Sequence, residues 1–454
     1  MSETSEMTGE GVAPVAQESP ELTRILKKVT WRLIPFLFVL YIMSYLDRIN
    51  VSLAVLQMGP ALKFDDMVFG LGTGIFFLGY CVFGVPSNLI LEKVGARRWI
   101  ATIMVIWGCV SVAMYSVRTA EQFYWLRFFL GVAEAGFFPG VILYLTYWFP
   151  KKQHGKAVSG FMSAIPAAAV LGGLVASKAL GMEVAGLAGW QWLFIITGLP
   201  SVLLGVLVWF VLADHPLKAG WLTPDERQLL GNVIAVDKQA IEKAAVVKSE
   251  TGEPRPDALD ALTNWLVWSF ALCYFCLTVA MYGFQLWLPQ IIKSLGNLSD
   301  TTTALVSAIP AASQALGILV VGTSSDRTGD RRYHMAGAAL LGALGFAGTA
   351  LLSANPAAAL ACLCLTAFGI WGTVGPFWAR TTATVSGAAA AASIALINSI
   401  GNLGGFAGPT IVAFVKTKTQ SFAGALLFLS ASLLIAGTLF LLLTRTRQQE
   451  TAAK

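Results

Sequence analysis

The feature that most constrains this chain is a series of twelve stretches, each about 20 mostly apolar residues long, separated by short polar turns. A bilayer core of about 30 Å is crossed by about 20 residues of α-helix. Within lipid, only helices or closed barrels satisfy every backbone polar group. The stretches lie near 31–55, 69–91, 97–117, 122–147, 156–180 and 191–213, then 263–291, 301–323, 333–353, 356–380, 389–414 and 420–444. The predicted fold is an all-α membrane protein with twelve transmembrane helices in two six-helix halves. Only 12% of the residues are charged, about half the share of a soluble domain, which excludes a disordered chain and an ordinary cytosolic enzyme. Six cysteines in 454 residues make no disulfide framework.

Residues 1–22 are polar, lack the apolar core of a signal peptide and are expected to be a disordered tail. The expected units are bundles at 23–213 and 263–444, a polar linker at 214–262 with room for a surface helix, and a tail at 445–454. Lys and Arg crowd one side of the predicted spans: Arg24, Lys27, Lys28 and Arg32, then Lys93, Arg97 and Arg98, then Lys151, Lys152 and Lys156, and later Arg327, Arg331, Arg332 and Arg445. Lys63, Arg118, Lys178, Lys293, Lys416 and Lys418 fall on the other. This bias places both termini and the linker in the cytoplasm of a multi-pass plasma (bacterial inner) membrane protein.

The halves carry a repeat. Glu92-Lys93-Val94-Gly95-Ala96-Arg97-Arg98 and Asp326-Arg327-Thr328-Gly329-Asp330-Arg331-Arg332 share acid, base, Gly and paired Arg at one internal spacing. A parallel repeat of six helices is a transporter layout. These loops resemble the signature loops of the major facilitator superfamily, where such clusters hold the outward-facing state. The resemblance implies gating roles for Glu92, Arg97, Arg98, Asp326, Arg327, Arg331 and Arg332. One departure is Asn88, where the family often has Asp.

The chemical clue is a set of ionisable residues inside spans: Asp47, Arg48, Arg127 and Glu134. A charge at mid-membrane costs about 2.5–3.5 kcal/mol on insertion scales, so such groups face a polar cavity or each other. Asp47 and Arg48 are adjacent and point about 100° apart on a helix. Arg127 and Glu134 share a face about 10 Å apart, with room between them for a ligand or water. Arginine presents a planar fork suited to a carboxylate. Carboxyl groups at low dielectric are suited to taking up protons near neutral pH. A static network, Asp47 with Arg127 or Arg48 with Glu134, is the structural alternative. In a parallel repeat Arg48 corresponds to about Tyr282.

Tyr45-Leu46-Asp47-Arg48-Ile49-Asn50-Val51-Ser52 resembles the anion:cation symporter branch of that superfamily, as do Ile90–Ile100 and the run from Arg127 through Gly131–Gly136 to Tyr147-Trp148-Phe149-Pro150. The branch includes carriers of sugar acids, tartrate, phthalate and hydroxyphenylacetate. The resemblance implies that Arg48 and Arg127 bind the substrate carboxylate while Asp47 and Glu134 carry protons. It adds Tyr80 as a cavity-lining residue and Asn398 as a contact for substrate hydroxyls. Tyr45 and Trp378 are further candidates for the cavity wall, with Tyr282, Gln285, Trp371, Phe377 and Asn402 beside them. Pro139, Pro166, Pro310 and Pro376 are expected to break helices mid-span. Ser163–Ala168 and Ser307–Ala312 repeat one motif on the fifth and eighth spans, which pack together in the superfamily.

No His/Cys cluster has metal-ligand spacing, no phosphate loop is present, and the basic loops follow membrane topology rather than nucleic-acid binding. The expected protein is a monomeric secondary transporter without cofactor. Its partners are protons, lipid and a small organic carboxylate (a sugar acid, tartrate or an aromatic acid). The alternatives are an exchanger or facilitator without proton coupling, and a transporter-derived carboxylate sensor.

Overall fold

The computed structural model describes residues 19–250, 262–385 and 390–452. Helix α1 (Pro20–Leu62) begins where Ser19 accepts the backbone N–H of Leu22 at 3.1 Å and Pro20 occupies the first turn. The helix therefore starts three residues inside the segment expected as a tail, with Leu22 and Ile25 buried; residues 1–18 of that tail lie outside the described residues. Then follow α2 (Asp66–Val94), α3 (Ala96–Ala113), α4 (Ala120–Glu134), α5 (Phe137–Thr146), α6 (Lys151–Met162), α7 (Ala164–Ala179) and α8 (Gly189–Val211). Helix α9 (Pro224–Glu250) lies in the linker. The remainder is α10 (Trp265–Ser294), α11 (Asp300–Thr328), α12 (Arg332–Leu351), α13 (Pro356–Gly372), α14 (Val374–Thr384), α15 (Ala390–Thr419) and α16 (Ala423–Ala452).

Three spans are broken, each beside a proline. Proline lacks an N–H and its ring clashes with the carbonyl four residues earlier. Helix α4 gives way to α5 next to Ala135, four before Pro139; α6 ends at Met162, four before Pro166; α13 ends at Gly372, four before Pro376. Pro310 differs from expectation and sits inside the unbroken α11.

Among the described residues, eleven helical stretches are long and apolar enough to cross a membrane. Helix α15, 30 residues long, brings the number to twelve and is the eleventh in chain order; Asn398, Asn402 and a run of glycines dilute its apolar content. Large apolar side chains such as Leu203, Phe210, Leu319 and Val320 point outward, as a lipid-facing surface requires. Trp31 and Trp265 are exposed near the end that carries the termini, where interfacial tryptophans are enriched in membrane proteins.

The first eight helices pack chiefly on one another, through α3 on α8 and α2 on α4. The last seven do so through α10 on α15, and α12 on α13 and α16. Three seams join the groups: α2 on α15, α7 on α11, and α1 on α10. The α7–α11 seam brings the repeated Ser-Ala-Ile-Pro motifs onto facing helices. The α2–α15 seam is tightest away from the termini: a Cβ on Gly70 would lie 2.4 Å from that of Ala413. The linker docks on the first group, where Trp221 stacks on Trp148 with centroids 5.5 Å apart and Lys28 donates to Glu226 at 2.7 Å.

Candidate transport site

The centre of the molecule is where α1, α2, α4 and α10 meet. Arg48 on α1 and Glu134 at the end of α4 form a buried ion pair. One carboxylate oxygen, Oε1, accepts from Arg48 Nη2 at 2.5 Å, Arg48 Nε at 3.2 Å and Ser44 Oγ at 2.6 Å. Ser44 lies one turn before Arg48, so both reach the same carboxylate. The other oxygen, Oε2, is buried without a partner. Arg48 also lies 3.5 Å from the Tyr282 hydroxyl on α10 and within 5.9 Å of the rings of Tyr45, Phe76 and Tyr80.

Arg127 has no exposed surface, and its carboxylate neighbour on the helix belongs to another arginine. Its Nε lies 3.4 Å from the carbonyl oxygen of Gly72, and both terminal nitrogens are without a partner. Phe76 separates the two cations, its ring 5.0 Å from the Arg127 guanidinium carbon and 5.4 Å from that of Arg48. The cluster thus holds two guanidinium groups and one carboxylate, and with that carboxylate ionised it keeps one positive charge. A buried charge without a counter-ion is strongly unfavourable, and an anion placed at Arg127 removes the imbalance.

Asp47 does not make the pair with Arg127 that the sequence left open. Its Oδ1 accepts from Ser111 on α3 at 2.7 Å and its Oδ2 from Ser201 on α8 at 2.6 Å. Neither arginine is a partner, because adjacent helical residues diverge by about 100° and Asp47 points into the α1–α3–α8 seam. Asn50 extends that seam by donating to Thr197 at 2.8 Å.

The remaining candidates are spread around the centre. Tyr45 is buried and bonded across the halves to Gln285, whose Nε2 donates to its hydroxyl at 2.6 Å. Tyr80 is half-buried over Arg48. Trp378 stands edge-on to Tyr274 at 5.0 Å, within an aromatic cluster that includes Phe377. Asn398 is exposed on α15, two turns toward the terminus-bearing end from Gly405, whose Cβ would strike Phe77 of α2. The same helix face is packed against α2 at Gly405 and exposed at Asn398, although Cys81 of α2 still approaches the neighbouring Ser399 carbonyl at 3.7 Å.

The gating candidates stay within their own halves. Arg97 lies 3.8 Å from Asp214, and Arg331 pairs with Asp326 at 2.5 Å. Glu92, Arg98 and Arg327 are exposed, while Arg332 lies over the Tyr333 ring with its Nε unpaired. Among the described residues, no ion pair joins the two loops. The charges that do cross the halves are at the other end: Lys416 of α15 pairs with Asp66 of α2 at 2.6 Å. Sequence reading missed this pair, as well as the serine partners of both carboxylates. Lys416 stands out in sequence only as a rare cation on the sparsely charged side.

The family model of the major facilitator superfamily matches residues 37–409. The chain belongs to the major facilitator superfamily. It is a multi-pass membrane transporter, not an enzyme. A putative tartrate transporter of Agrobacterium vitis is 44% identical over 425 residues, covering 93% of this chain and 95% of that one. A quinolone resistance transporter of Acinetobacter baumannii is 40% identical over 411 residues, covering 90% and 92%. The putative metabolite transport protein NicT of Pseudomonas putida is 38% identical over 418 residues, covering 90% and 93%. Among solved structures, a bacterial homologue of the human lysosomal transporter Spinster, inward-facing and unoccupied, superimposes with a TM-score of 0.73 at 16% identity over 95% of this chain and 99% of that one. The superfamily's twelve-helix fold is therefore the fold of this chain.

Proposed function

We propose that this protein is a proton-coupled symporter of a small organic carboxylate, working by alternating access in the bacterial inner membrane with both termini in the cytoplasm. The observation that carries this reading is the uneven pairing at the centre: Glu134 occupies Arg48, and Arg127 is buried with both terminal nitrogens free. Arg127 takes the incoming carboxylate. A proton on Glu134 discharges its bond to Arg48, and the freed fork reaches a second carboxylate or the same one. With Glu134 protonated the cluster carries two positive charges and matches a dicarboxylate; with Glu134 ionised it matches a monoanion. The relative named for tartrate, a dihydroxy dicarboxylate, supports that class of substrate. Tyr80, Tyr282 and, after closure, Asn398 and Trp378 complete the cavity.

Residues 23–213 rock against 263–444 about the midplane. The seven loop charges from Glu92 to Arg332 gate the cytoplasmic end, and their separation here fits an inward-facing state. Exchange without protons is the second reading. It is favoured by Asp47, whose oxygens are both engaged by serines away from the arginines, leaving a single carboxyl in contact with them.

Proteoliposomes decide between these readings. Carboxylates including tartrate, a sugar acid, an aromatic acid and a quinolone are added outside while external pH is followed. Alkalinisation with one acid, lost in Arg127→Ala, supports symport. Counterflow of the same acid without pH change makes the protein an exchanger.

A further inference from the structure

The two halves meet away from the termini in a contact that the transport cycle must break. Lys416, near the end of α15, donates to Asp66 Oδ1 in the first turn of α2 at 2.6 Å and to Gln290 Oε1 on α10 at 3.2 Å. Its ammonium stands 5.2 Å from the Trp287 ring and 4.6 Å from the Phe422 ring. Trp287, fully buried, meets Phe69 of α2 edge-on at 5.0 Å. A cation of one half is therefore walled by aromatic rings of its own half and closed by an acid of the other. Two open depressions, about 680 and 410 Å³, flank the pair, with Lys416 in the first, Asp66 in the second and Gln290 in both. The pair lies between the two depressions together with Val55, Pro60 and Gln290, which line both.

We propose that Asp66 and Lys416 are the gating pair of this end: their ion pair holds the extracytoplasmic mouth shut while the cytoplasmic end is open. Among the described residues, the charge loops at the cytoplasmic end make no bond across the halves in this conformation, so the ionic lock has moved to the opposite mouth. Three arrangements suit it to repeated opening. The pair is only partly buried, with side chains 21% and 29% exposed, so water can take over both charges when it parts. The acid sits at a helix N-terminus, where the helix dipole stabilises it in the separated state. The cation keeps its aromatic walls and Gln290, all on its own half, so no charge is stranded when the halves separate. The inference rests on alternating access and not on the identity of the substrate or the coupling ion.

The test is made without substrate. Spin labels carried on a bio-orthogonal amino acid are placed at Val184 and Leu352, exposed loop positions at the extracytoplasmic end. A second pair at Val94 and Tyr333 reports the cytoplasmic end. In Lys416→Met and in Asp66→Asn, the long-distance population at the first pair should grow at least threefold, while distances at the second pair shorten. Lys416→Arg, which keeps the cation, should retain the native distribution. The proposal is overturned if both neutral variants, folded by thermal melting, keep native distances at both ends. It is equally overturned if Lys416→Arg opens as far as Lys416→Met, which would make shape rather than charge the cause. Failure of the substrate reading leaves these distances unchanged, so the two ideas fail separately.

Discussion

The guanidinium of Arg48 lies 3.5 Å from the hydroxyl of Tyr282, a residue 234 positions later and its counterpart in the second half. The same interval separates Glu92 from Asp326 in the signature loops. One repeat position thus supplies a cation from α1 and a phenol from α10, facing each other at the centre. The halves are alike in fold and unlike in charge, with ionisable residues gathered on the first and hydroxyl, amide and aromatic groups on the second. On the proposed reading, an anion bound there would be held by one half and oriented by the other.

Tyr282→Phe tests that division. The ring remains packed against Phe77, whose centroid is 4.3 Å away, so stability should change little. Loss of a hydroxyl contact to a charged group is worth about 1.5–3 kcal/mol at most, and less at this separation. The expected outcome is a rise in KM of about three- to tenfold with kcat nearly unchanged, measured by radiolabelled uptake.

Arg48→Ala strips Glu134 of its counter-ion. Removing one partner of a buried pair destabilises by about 3–5 kcal/mol, so the melting temperature should fall and uptake should vanish. Glu134→Gln keeps the shape and leaves Arg48 free. It should bind the carboxylate and support counterflow while losing accumulation driven by a pH gradient. Concentrative uptake by Glu134→Gln at the native level would remove this carboxyl from the coupling mechanism.

The position of Tyr80 depends on a glycine. On α4, a Cβ at Gly131 would lie 2.0 Å from the Phe76 carbonyl oxygen and 3.1 Å from the Tyr80 backbone nitrogen. Alanine there must push α2 off α4, carrying Phe76 and Tyr80 away from both arginines. Gly131→Ala should lower stability by about 1–3 kcal/mol, as overpacking does. It should also weaken carboxylate binding in the fraction that folds, read by thermal shift with and without ligand.

In the linker, hydrogen bonds from Lys28 and the Thr223 backbone hold the Glu226 carboxyl below the usual carboxylate range. A depressed folded value means the contact contributes fully above the unfolded value of about 4.3 and is lost as pH falls through the folded one. Hydrogen exchange of residues 216–237 should stay slow from pH 7 to 5 and rise below about pH 4, ahead of the spans. Glu226→Gln should show the fast behaviour already at pH 7.

The architecture was legible because bilayer thickness writes itself into sequence as runs of about 20 apolar residues. Span ends were less so: Ser19 and Pro20 start α1 earlier than hydropathy suggests, and of the four prolines expected to break spans Pro310 does not. Arg48, Arg127, Asp47 and Glu134 were visible as charges where none is comfortable. Arg48 with Glu134 was one of two pairings open from sequence and Asp47 with Arg127 the other; which of them forms was not legible, because it depends on helix rotation and on Ser44, Ser111 and Ser201, residues that carry no signal of their own. Lys416 and Asp66 looked like ordinary loop-proximal charges, and only the packing of α2 on α15 brings them together.

Asp47 separates the two roles a membrane carboxyl can have. Its oxygens accept from Ser111 and Ser201, so it ties α1 to α3 and α8 and touches no arginine. If it carries a proton in the cycle, that proton acts on helix packing and not on the anion. Asp47→Asn preserves the shape and can still accept from one serine. Carboxylate affinity, read by thermal shift, should then stay within about threefold of native, since no contact to the arginines is lost. Accumulation against a gradient should fall by tenfold or more while counterflow continues. Asp47→Ala, which takes the acceptor from Ser111 and leaves Ser201 only the Thr197 carbonyl at 3.5 Å, should instead lower the melting temperature. A loss of ligand affinity in Asp47→Asn as large as in Arg48→Ala would show that the carboxyl reaches the anion in another state of the cycle. Accumulation at the native level would make Asp47 a structural tie among three helices and leave Glu134 to carry the coupling.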